Sequence, residues 1–297
     1  SDEADVDTQQ AVAVTGVAHR SSEELRKDIL AASGVFLFAF ALYLLPAIQS
    51  RPLSETPEAR VAVVAREMVQ NDRWVLPTMG GEPRLNKPPL PYWLTAASAK
   101  VLAGSDGLTQ KVMTSATLLP PALLMALALF IVVLYGALVF GRAAGIISGL
   151  LLGLGLLVTR FAQMGFGDST LLFTTTWMLC SAAWLITTPR PGVLTALSLG
   201  VSLGLGILTK GHVPVVVLMA PVLVAVARYR RFNGRKVALF AVALAVAGSS
   251  ATGLTEIVGA AFSVATAGAA TDTLGVEGPL VAGAGAGSPN SCMPTAA

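Results

Sequence analysis

The chain has 297 residues, of which 54% are hydrophobic and only 12% are charged. Ordinary soluble domains carry about 25% charged residues, so this composition excludes a soluble globular protein and predicts an integral membrane protein. The net charge of +3 is small. In a membrane protein such an excess is typical of cytoplasmic loops, so we expect no nucleic-acid partner. The two cysteines, Cys180 and Cys292, do not suggest a disulfide framework.

Several apolar runs reach or approach the roughly 20 residues that a helix needs to cross the hydrocarbon core of a bilayer. They cover about 30–49, 113–140, 143–158, 169–188, 193–209, 213–228 and 237–254. Pro120–Pro121 lies inside the second run and predicts a kink or a delayed helix start, because proline removes a backbone donor. The sequence therefore predicts an all-α, multi-pass membrane protein.

The two ends of the chain differ in composition from the apolar region. Residues 1–28 are polar and are predicted to form a cytoplasmic N-terminal tail, followed by a transmembrane domain over 29–254. Residues 255–297 are rich in Gly, Ala, Ser and Thr, so we predict a disordered, low-complexity C-terminal tail.

A long segment, about 50–110, separates the first two predicted spans. Thr56 followed by Pro57 indicates a helix N-cap and first helical position. One face of that helix collects the apolar residues Val61, Val64, Ala65 and Met68. This spacing predicts an amphipathic helix suited to lying on the membrane surface. A second short helix is predicted over about 90–103.

Basic residues in short loops predict the orientation of the spans. The loop 228–236 contains Arg228, Arg230, Arg231, Arg235 and Lys236. If this loop is cytoplasmic, counting back places the N-terminus and the loops at Arg142 and Arg190 on the same side. The segment 50–110, the loop around Asp168 and the turn at Lys210 then lie together on the external side.

Charged side chains on the predicted external side are candidates for function, because charge near membrane depth is costly. They are Glu58, Arg60, Lys87, Asp168 and Lys210. A carboxylate can take a proton from a hydroxyl nucleophile. Lysine and arginine can bind a phosphate that leaves with developing negative charge. The set therefore suits transfer of a group from a lipid phosphate.

Each candidate also has a purely structural explanation. Glu58 could complement a helix dipole and Asp168 could be an N-cap. Arg60 could be a solvated surface residue, Lys87 a snorkelling lysine and Lys210 a partner of a helix C-terminus.

Two aromatic residues and one histidine complete the set of candidates. Tyr92 and Trp93 have the character of interfacial belt aromatics. His212 has no companion at metal-ligand spacing, so no metal site is predicted.

The segment 57–93 resembles the first external loop of the membrane glycosyltransferase family that includes dolichyl-phosphate-mannose protein mannosyltransferases and aminoarabinose transferases. In that family an acidic residue, a Glu-Met pair, a Trp-containing stretch, a glycine turn and Lys-Pro-Pro-Leu-x-Tyr-Trp follow one another. Here these are Glu58, Glu67–Met68, Trp74 to Pro77, Gly80–Gly81 and Lys87 to Trp93.

Two later segments strengthen the resemblance. "RFAQMGFGDSTLLF" is similar to the family's second acidic loop, with Asp168 at the acidic position. Thr209 to Gly211 resembles its Thr-Lys-Gly turn. The resemblance covers about residues 30–246.

The resemblance implies a GT-C-like helical bundle with amphipathic helices in the long external loop. It implies transfer of a sugar, with inversion, from a polyprenyl phosphate to a lipid, protein or glycan acceptor on the external side of the plasma (inner) membrane. Glu58 and Asp168 would be catalytic. The substrate-binding residues would be Arg60, Lys87, Lys210, Tyr92 and Trp93.

The chain departs from the family at several positions, one of which is Val61, where members often have an aromatic residue. Many members have Asp-Glu where this chain has Pro57–Glu58, and Asn86 replaces an acid that aminoarabinose transferases link with a metal. No metal or other cofactor is therefore carried over. Family members continue with further spans, so we expect a truncated form. A transporter or flippase that binds an anionic lipid, or a non-catalytic remnant, stays open as an alternative.

Overall fold

A computed structural model of the protein describes residues 21–48, 52–53, 55–85, 87–103, 107–188, 190–229 and 234–249. These residues form ten helices and one short hairpin. In chain order they are α1 (Ser22–Ile48), α2 (Thr56–Asn71), β1 (Thr78–Met79), β2 (Glu82–Pro83), α3 (Leu90–Ala103), α4 (Gln110–Phe140), α5 (Arg142–Gly153), α6 (Leu156–Ala162), α7 (Asp168–Thr187), α8 (Val193–Lys210), α9 (Val213–Tyr229) and α10 (234–249). The tail predicted over 255–297 and residues 1–20 lie outside the described residues.

Among the described helices, four are long and apolar enough to cross a membrane. They are α1, α4, α7 and α8, and the bent pair of α5 and α6 would make a fifth. The apolar part of α9, Val213–Val224, is shorter. The sequence predicted seven runs that reach or approach this length, and the run 143–158 is divided between two helices.

Helix α1 begins at Ser22, so residues 22–28 are helical rather than part of a polar tail. Asp28 is fully buried and accepts a hydrogen bond from Arg142 Nε at 2.9 Å. The same guanidinium reaches Glu24 at 2.5 Å. Helix α1 thus begins before the predicted start, and the ion pair joins it to the start of α5. It also confirms that the N-terminal segment and the Arg142 loop lie at one end of the bundle.

Helix α4 packs against α1, α3, α5 and α7 and is the central helix of the bundle. Pro120 and Pro121 lie inside this helix and are buried. The predicted delay of the helix start is therefore wrong. Surrounding helices make prolines tolerable inside a membrane helix, because neighbouring groups compensate for the missing backbone bonds.

The predicted run 143–158 is divided between α5 and α6, which are bent by 69°. The break lies at Leu154 and Gly155, where glycine lowers helix propensity. Tyr43 donates a hydrogen bond to the carbonyl oxygen of Gly153 at 2.6 Å. The phenol thereby satisfies a carbonyl at the end of the broken helix.

Small residues allow α5 to approach α4 closely. Gly145, Gly149 and Gly153 recur every four residues and are buried on one face of α5. At Gly145 an added Cβ would lie 2.6 Å from the backbone nitrogen of Ala137. This small-residue spacing is typical of closely packed membrane helices.

The long segment between α1 and α4 folds onto the bundle. The apolar face of α2, including Val64, Ala65 and Met68, is buried in a cluster with Tyr92 of α3 and Met113 of α4. The amphipathic pattern was predicted correctly. Its partner was not, because this face packs on protein rather than on the membrane surface.

Candidate functional site

The N-terminal part of α2, the start of α3 and the two turns before α7 and after α8 surround one open cavity of about 490 Å³. Its wall combines apolar and charged side chains. It is formed by Pro57, Val61, Lys87, Pro88, Pro91, Tyr92, Phe166, Gly167, Asp168, Thr209, Lys210 and Gly211. The three segments predicted to meet on one side of the membrane therefore meet at one end of the bundle.

Three charged side chains on this wall were predicted from the sequence: Lys87, Asp168 and Lys210. Lys210 Nζ lies 2.7 Å from Asp168 Oδ1, and both side chains stay partly accessible, with exposed fractions of 53% and 34%. Lys87 is exposed in the loop before α3. The wall thus carries two ammonium groups and one carboxylate, a net charge that favours an anion.

Helix ends place the ion pair on the wall. Asp168 is the first residue of α7, and the N-cap is Gly167, with no side-chain cap bond. The N-cap explanation for Asp168 is therefore wrong, because its carboxylate bonds Lys210 instead. Lys210 is the last residue of α8, and Gly211 follows with a φ of +63° that favours glycine. The sharp turn at Gly211 leaves the lysine on the cavity side.

Tyr92 closes the cavity beside Lys87 and is almost fully buried. Its phenol oxygen accepts a hydrogen bond from Arg84 Nε at 3.2 Å. Buried packing excludes the belt explanation for Tyr92. Arg84 was missed by sequence reasoning, although it stands three residues before Lys87 in the same motif.

The other aromatic of the motif, Trp93, has a different environment. It is half-buried, and its Nε1 donates a hydrogen bond to the carbonyl oxygen of Trp74 at 2.6 Å. Lys100 lies 5.7 Å from the centre of the Trp74 ring. Trp93 is not among the residues that line the cavity, so in this structure it supports the loop rather than forming the wall.

The Glu-Met pair of the motif organises the hairpin before Lys87. Glu67 accepts hydrogen bonds from Thr78 Oγ1 at 2.6 Å and from the Gly80 amide at 2.6 Å. Gly80 and Gly81 both have positive φ, as a two-residue hairpin turn of type I′ requires. The hydrogen bond from Thr78, followed by those from the two glycine amides, lowers the pKa of the Glu67 carboxyl below its usual range.

The remaining predicted residues lie on the first turns of α2. Glu58 is fully buried, and its Oε1 accepts a hydrogen bond from the Gly165 amide at 2.9 Å. Arg60 is exposed. Neither residue is among those that line the cavity in the described part of the chain. The first residue of the family's acidic pair is Pro57 here, and Pro57 is on the wall.

Metal-coordinating side chains are the last feature of the site. Within the described ranges, no group of three or more His, Cys, Asp or Glu side chains is placed to hold a metal ion. On the cavity wall, the carboxylate of Asp168 already has an ammonium partner.

Comparison with known families gives a match to the model described as dolichyl-phosphate-mannose-protein mannosyltransferase, over residues 86–252. That range contains Lys87, the loop before Asp168 and the turn at Lys210. It covers more than half of the chain.

Curated relatives match as well. A protein from Yersinia enterocolitica, an undecaprenyl phosphate-alpha-4-amino-4-deoxy-L-arabinose arabinosyl transferase, is 31% identical over 208 residues, which are 68% of this chain and 36% of that protein. A protein with the same description from Proteus mirabilis is 28% identical over 200 residues, which are 67% of this chain and 35% of the relative. The chain therefore spans about a third of the length of these curated relatives.

Solved structures show the same fold. The crystal structure of ArnT from Cupriavidus metallidurans bound to undecaprenyl phosphate aligns with a TM-score of 0.65 and 21% identity, over 76% of this chain and 41% of that one. Its apo structure aligns with a TM-score of 0.63. This likeness confirms the predicted GT-C-like helical bundle. Together with the apolar helices, it identifies an integral membrane protein.

Proposed function

Because the chain belongs to the dolichyl-phosphate-mannose-protein mannosyltransferase family of membrane glycosyltransferases, we propose that it takes part in sugar transfer from an undecaprenyl-phosphate donor. The observation that carries the proposal is the cavity, which combines Lys87 and Lys210 with an apolar wall. A lipid phosphate has the matching chemistry, an anionic head and a hydrocarbon chain. The description of the curated relatives as arabinosyl transferases supports a pentose as the sugar.

The two lysines would bind the donor phosphate. As the bond between the anomeric carbon and the phosphate oxygen breaks, that oxygen keeps the electron pair and gains negative charge. A fixed ammonium stabilises this charge more in the transition state than in the ground state. Pro88 follows Lys87 directly and restricts the backbone beside it, so the ammonium is partly positioned before the donor arrives.

Asp168 would activate the acceptor. Its carboxylate is the acidic group on the described wall, and it would take the proton of the acceptor hydroxyl as the new bond to the anomeric carbon forms. Attack on the face opposite the phosphate inverts that carbon. Lys210, now 2.7 Å from Asp168, would contact the incoming phosphate as well, which weakens its hold on the carboxylate.

We place the cavity on the external side of the inner membrane, where a lipid, protein or glycan acceptor would be met. This orientation rests on the basic loop 228–236. It is tested in a parent chain whose two cysteines are replaced by serine. Two variants of this chain each carry one new cysteine, either Gln70→Cys at an exposed position of α2 or Arg26→Cys at an exposed position of α1. An impermeant maleimide applied to intact cells should label position 70 and not position 26. The reverse pattern would contradict the orientation.

Donor binding is tested with the purified chain in lipid nanodiscs. Undecaprenyl phosphate should bind, whereas undecaprenol, which has the same chain and no phosphate, should bind much more weakly. Lys87→Met should reduce the difference between the two lipids, and Lys87→Arg should retain part of it, since the charge remains with another geometry. Equal binding of both lipids by the parent chain would refute the phosphate site.

A further inference from the structure

Glu58 is a buried carboxylate that the proposed reaction does not use. It lies in the first turn of α2 with no exposed surface. Its Oε1 accepts a hydrogen bond from the backbone amide of Gly165 at 2.9 Å. These two residues are 107 positions apart in the chain. The contact therefore joins α2 to the loop 163–167, which leads directly into α7.

Both partners stand next to residues of the cavity wall. On α2, Pro57 precedes Glu58 and lines the cavity. On the loop, Phe166, Gly167 and Asp168 follow Gly165 and line it too. The hydrogen bond between Glu58 and Gly165 thus connects the part of the wall formed by α2 with the part formed by the residues that follow Gly165.

The loop is closely seated at this point. An added Cβ on Gly165 would collide with the methyl group of Thr117 on α4, and it would lie 3.7 Å from Glu58 Cβ. Thr117 is itself fully buried. Two residues later, an added Cβ on Gly167 would lie 3.0 Å from Pro91 Cγ. Because the loop has so little free space around it, the buried Gly165 amide relies on the Glu58 carboxylate of α2 as its hydrogen-bond acceptor.

We infer that Glu58 is a positioning residue, which fixes the loop 163–167 and through it the place of Asp168 on the cavity wall. This inference rests on the proposed function for its effect on transfer, but the contact itself can be tested without activity. A general base must come within about 2.6–3.2 Å of the acceptor hydroxyl or reach it through one water. Glu58 has no exposed surface from which to do so.

Two substitutions separate positioning from base catalysis. Glu58→Gln keeps an oxygen that can accept the Gly165 hydrogen bond, but it cannot take a proton. Glu58→Leu keeps the approximate size and removes the acceptor. Positioning requires the glutamine variant to resemble the parent and the leucine variant to fail, whereas a base role requires both to fail.

The experiment measures hydrogen exchange of the full 297-residue chain in nanodiscs, together with undecaprenyl-phosphate binding and sugar transfer. Peptides covering 163–168 should exchange at the parent rate in Glu58→Gln. In Glu58→Leu they should exchange at least about tenfold faster, the scale expected when a buried amide loses its acceptor. Transfer, with its pH profile, should be kept in the glutamine variant and lost in the leucine variant.

Glu67 on the same helix supplies the matched control, because it bonds the hairpin rather than the loop 163–167. Glu67→Leu should accelerate exchange at 78–83 and leave 163–168 unchanged. Parent-like exchange at 163–168 in Glu58→Leu would overturn the inference, as would a glutamine variant with normal exchange and no transfer. If the leucine variant does not fold, the glutamine variant alone decides by that second criterion. A parent chain that fails to bind the lipid would refute the proposed function, while the exchange result would still decide whether Glu58 fixes the loop.

Discussion

An acid–base pair joins helices at each end of the bundle, and the two pairs differ in exposure. At one end Asp28 is completely buried against Arg142, whose side chain is 35% exposed. At the other end Asp168 and Lys210 are 34% and 53% exposed, and they face a cavity of about 490 Å³. The first pair links α1 to α5, and the second links α7 to α8.

This difference separates a structural charge pair from the pair for which we propose a function. A fully buried carboxylate cannot exchange its partner for a ligand without disturbing its surroundings, so its role is to fix helix positions. An accessible pair contributes little stability, typically about 0–1 kcal/mol, and can rearrange when an anion arrives. Variants at the two ends should therefore fail in different assays.

The largest effect on chemistry is expected at Asp168. Asp168→Asn keeps the size of the side chain but removes the proposed base, so sugar transfer should fall by a factor on the order of 10² to 10⁴. Undecaprenyl-phosphate affinity should not fall, because Lys210 loses a competing anion. Transfer and binding are measured on the same nanodisc preparation. A parallel loss of binding and transfer would show that Asp168 acts through structure.

The next effect concerns Lys87. Lys87→Met keeps the apolar stem and removes the charge, so transfer should fall by on the order of 10² to 10³, the usual cost of losing one group that stabilises developing charge. Lys87→Arg should keep part of the rate. Membrane yield and thermal midpoint should match the parent, since Lys87 is exposed. Transfer at the parent rate in Lys87→Met would identify a snorkelling lysine instead.

The opposite end should show the reverse behaviour. Arg142→Met removes the guanidinium that donates to the buried Asp28 carboxylate, and we expect the free energy of unfolding to fall clearly. Unfolding in detergent mixtures measures this loss. Lys27→Met is the control, because its pairs with Glu23 and Glu24 are exposed and should contribute much less.

A double variant sharpens this prediction. Asp28→Leu combined with Arg142→Met removes both charges, and it should be more stable than Arg142→Met alone, since the buried carboxylate is removed together with its guanidinium partner. If the double variant is the less stable of the two, the ion pair is not what makes Arg142 important. Undecaprenyl-phosphate affinity measured on the folded fraction should stay at the parent value throughout.

The two ends were not equally predictable from the sequence. Asp168 and Lys210 were found because each is a charge at the end of an apolar run, and Lys87 was found in the motif Lys87 to Trp93. Span counting put all three on one side. Asp28 was assigned to a tail, because its partner Arg142 is 114 residues away and no local pattern indicates the pair. Burial decided by distant contacts is the part of a site that sequence periodicity does not reveal.

Contacts between distant residues, which the sequence does not reveal, also explain the other differences between prediction and structure. The apolar face of α2 could be predicted from its spacing, but that spacing is the same whether the face meets lipid or protein. The break between α5 and α6 was missed because Leu154 and its neighbours are apolar, and hydropathy carries no information about bending. Glu58 was predicted to activate or orient the acceptor, and its partner, the Gly165 amide, offers no side-chain signal in the sequence.

The smallest effect is expected at the hairpin beneath Lys87, and it depends on pH. The pKa of Glu67 is lowered in the folded protein, chiefly by the Thr78 hydroxyl, so its stabilising contribution is fully present above its ordinary pKa, about 4.5, and is lost as the pH falls through the folded value. Hydrogen exchange at 78–83, corrected for intrinsic rates, should therefore rise by a factor of about three to five on acidification, a size suited to a partly exposed carboxylate. Glu67→Gln should abolish this pH dependence, because glutamine has no proton to gain in that range. A variant that keeps the parent's pH dependence would assign the transition to another group.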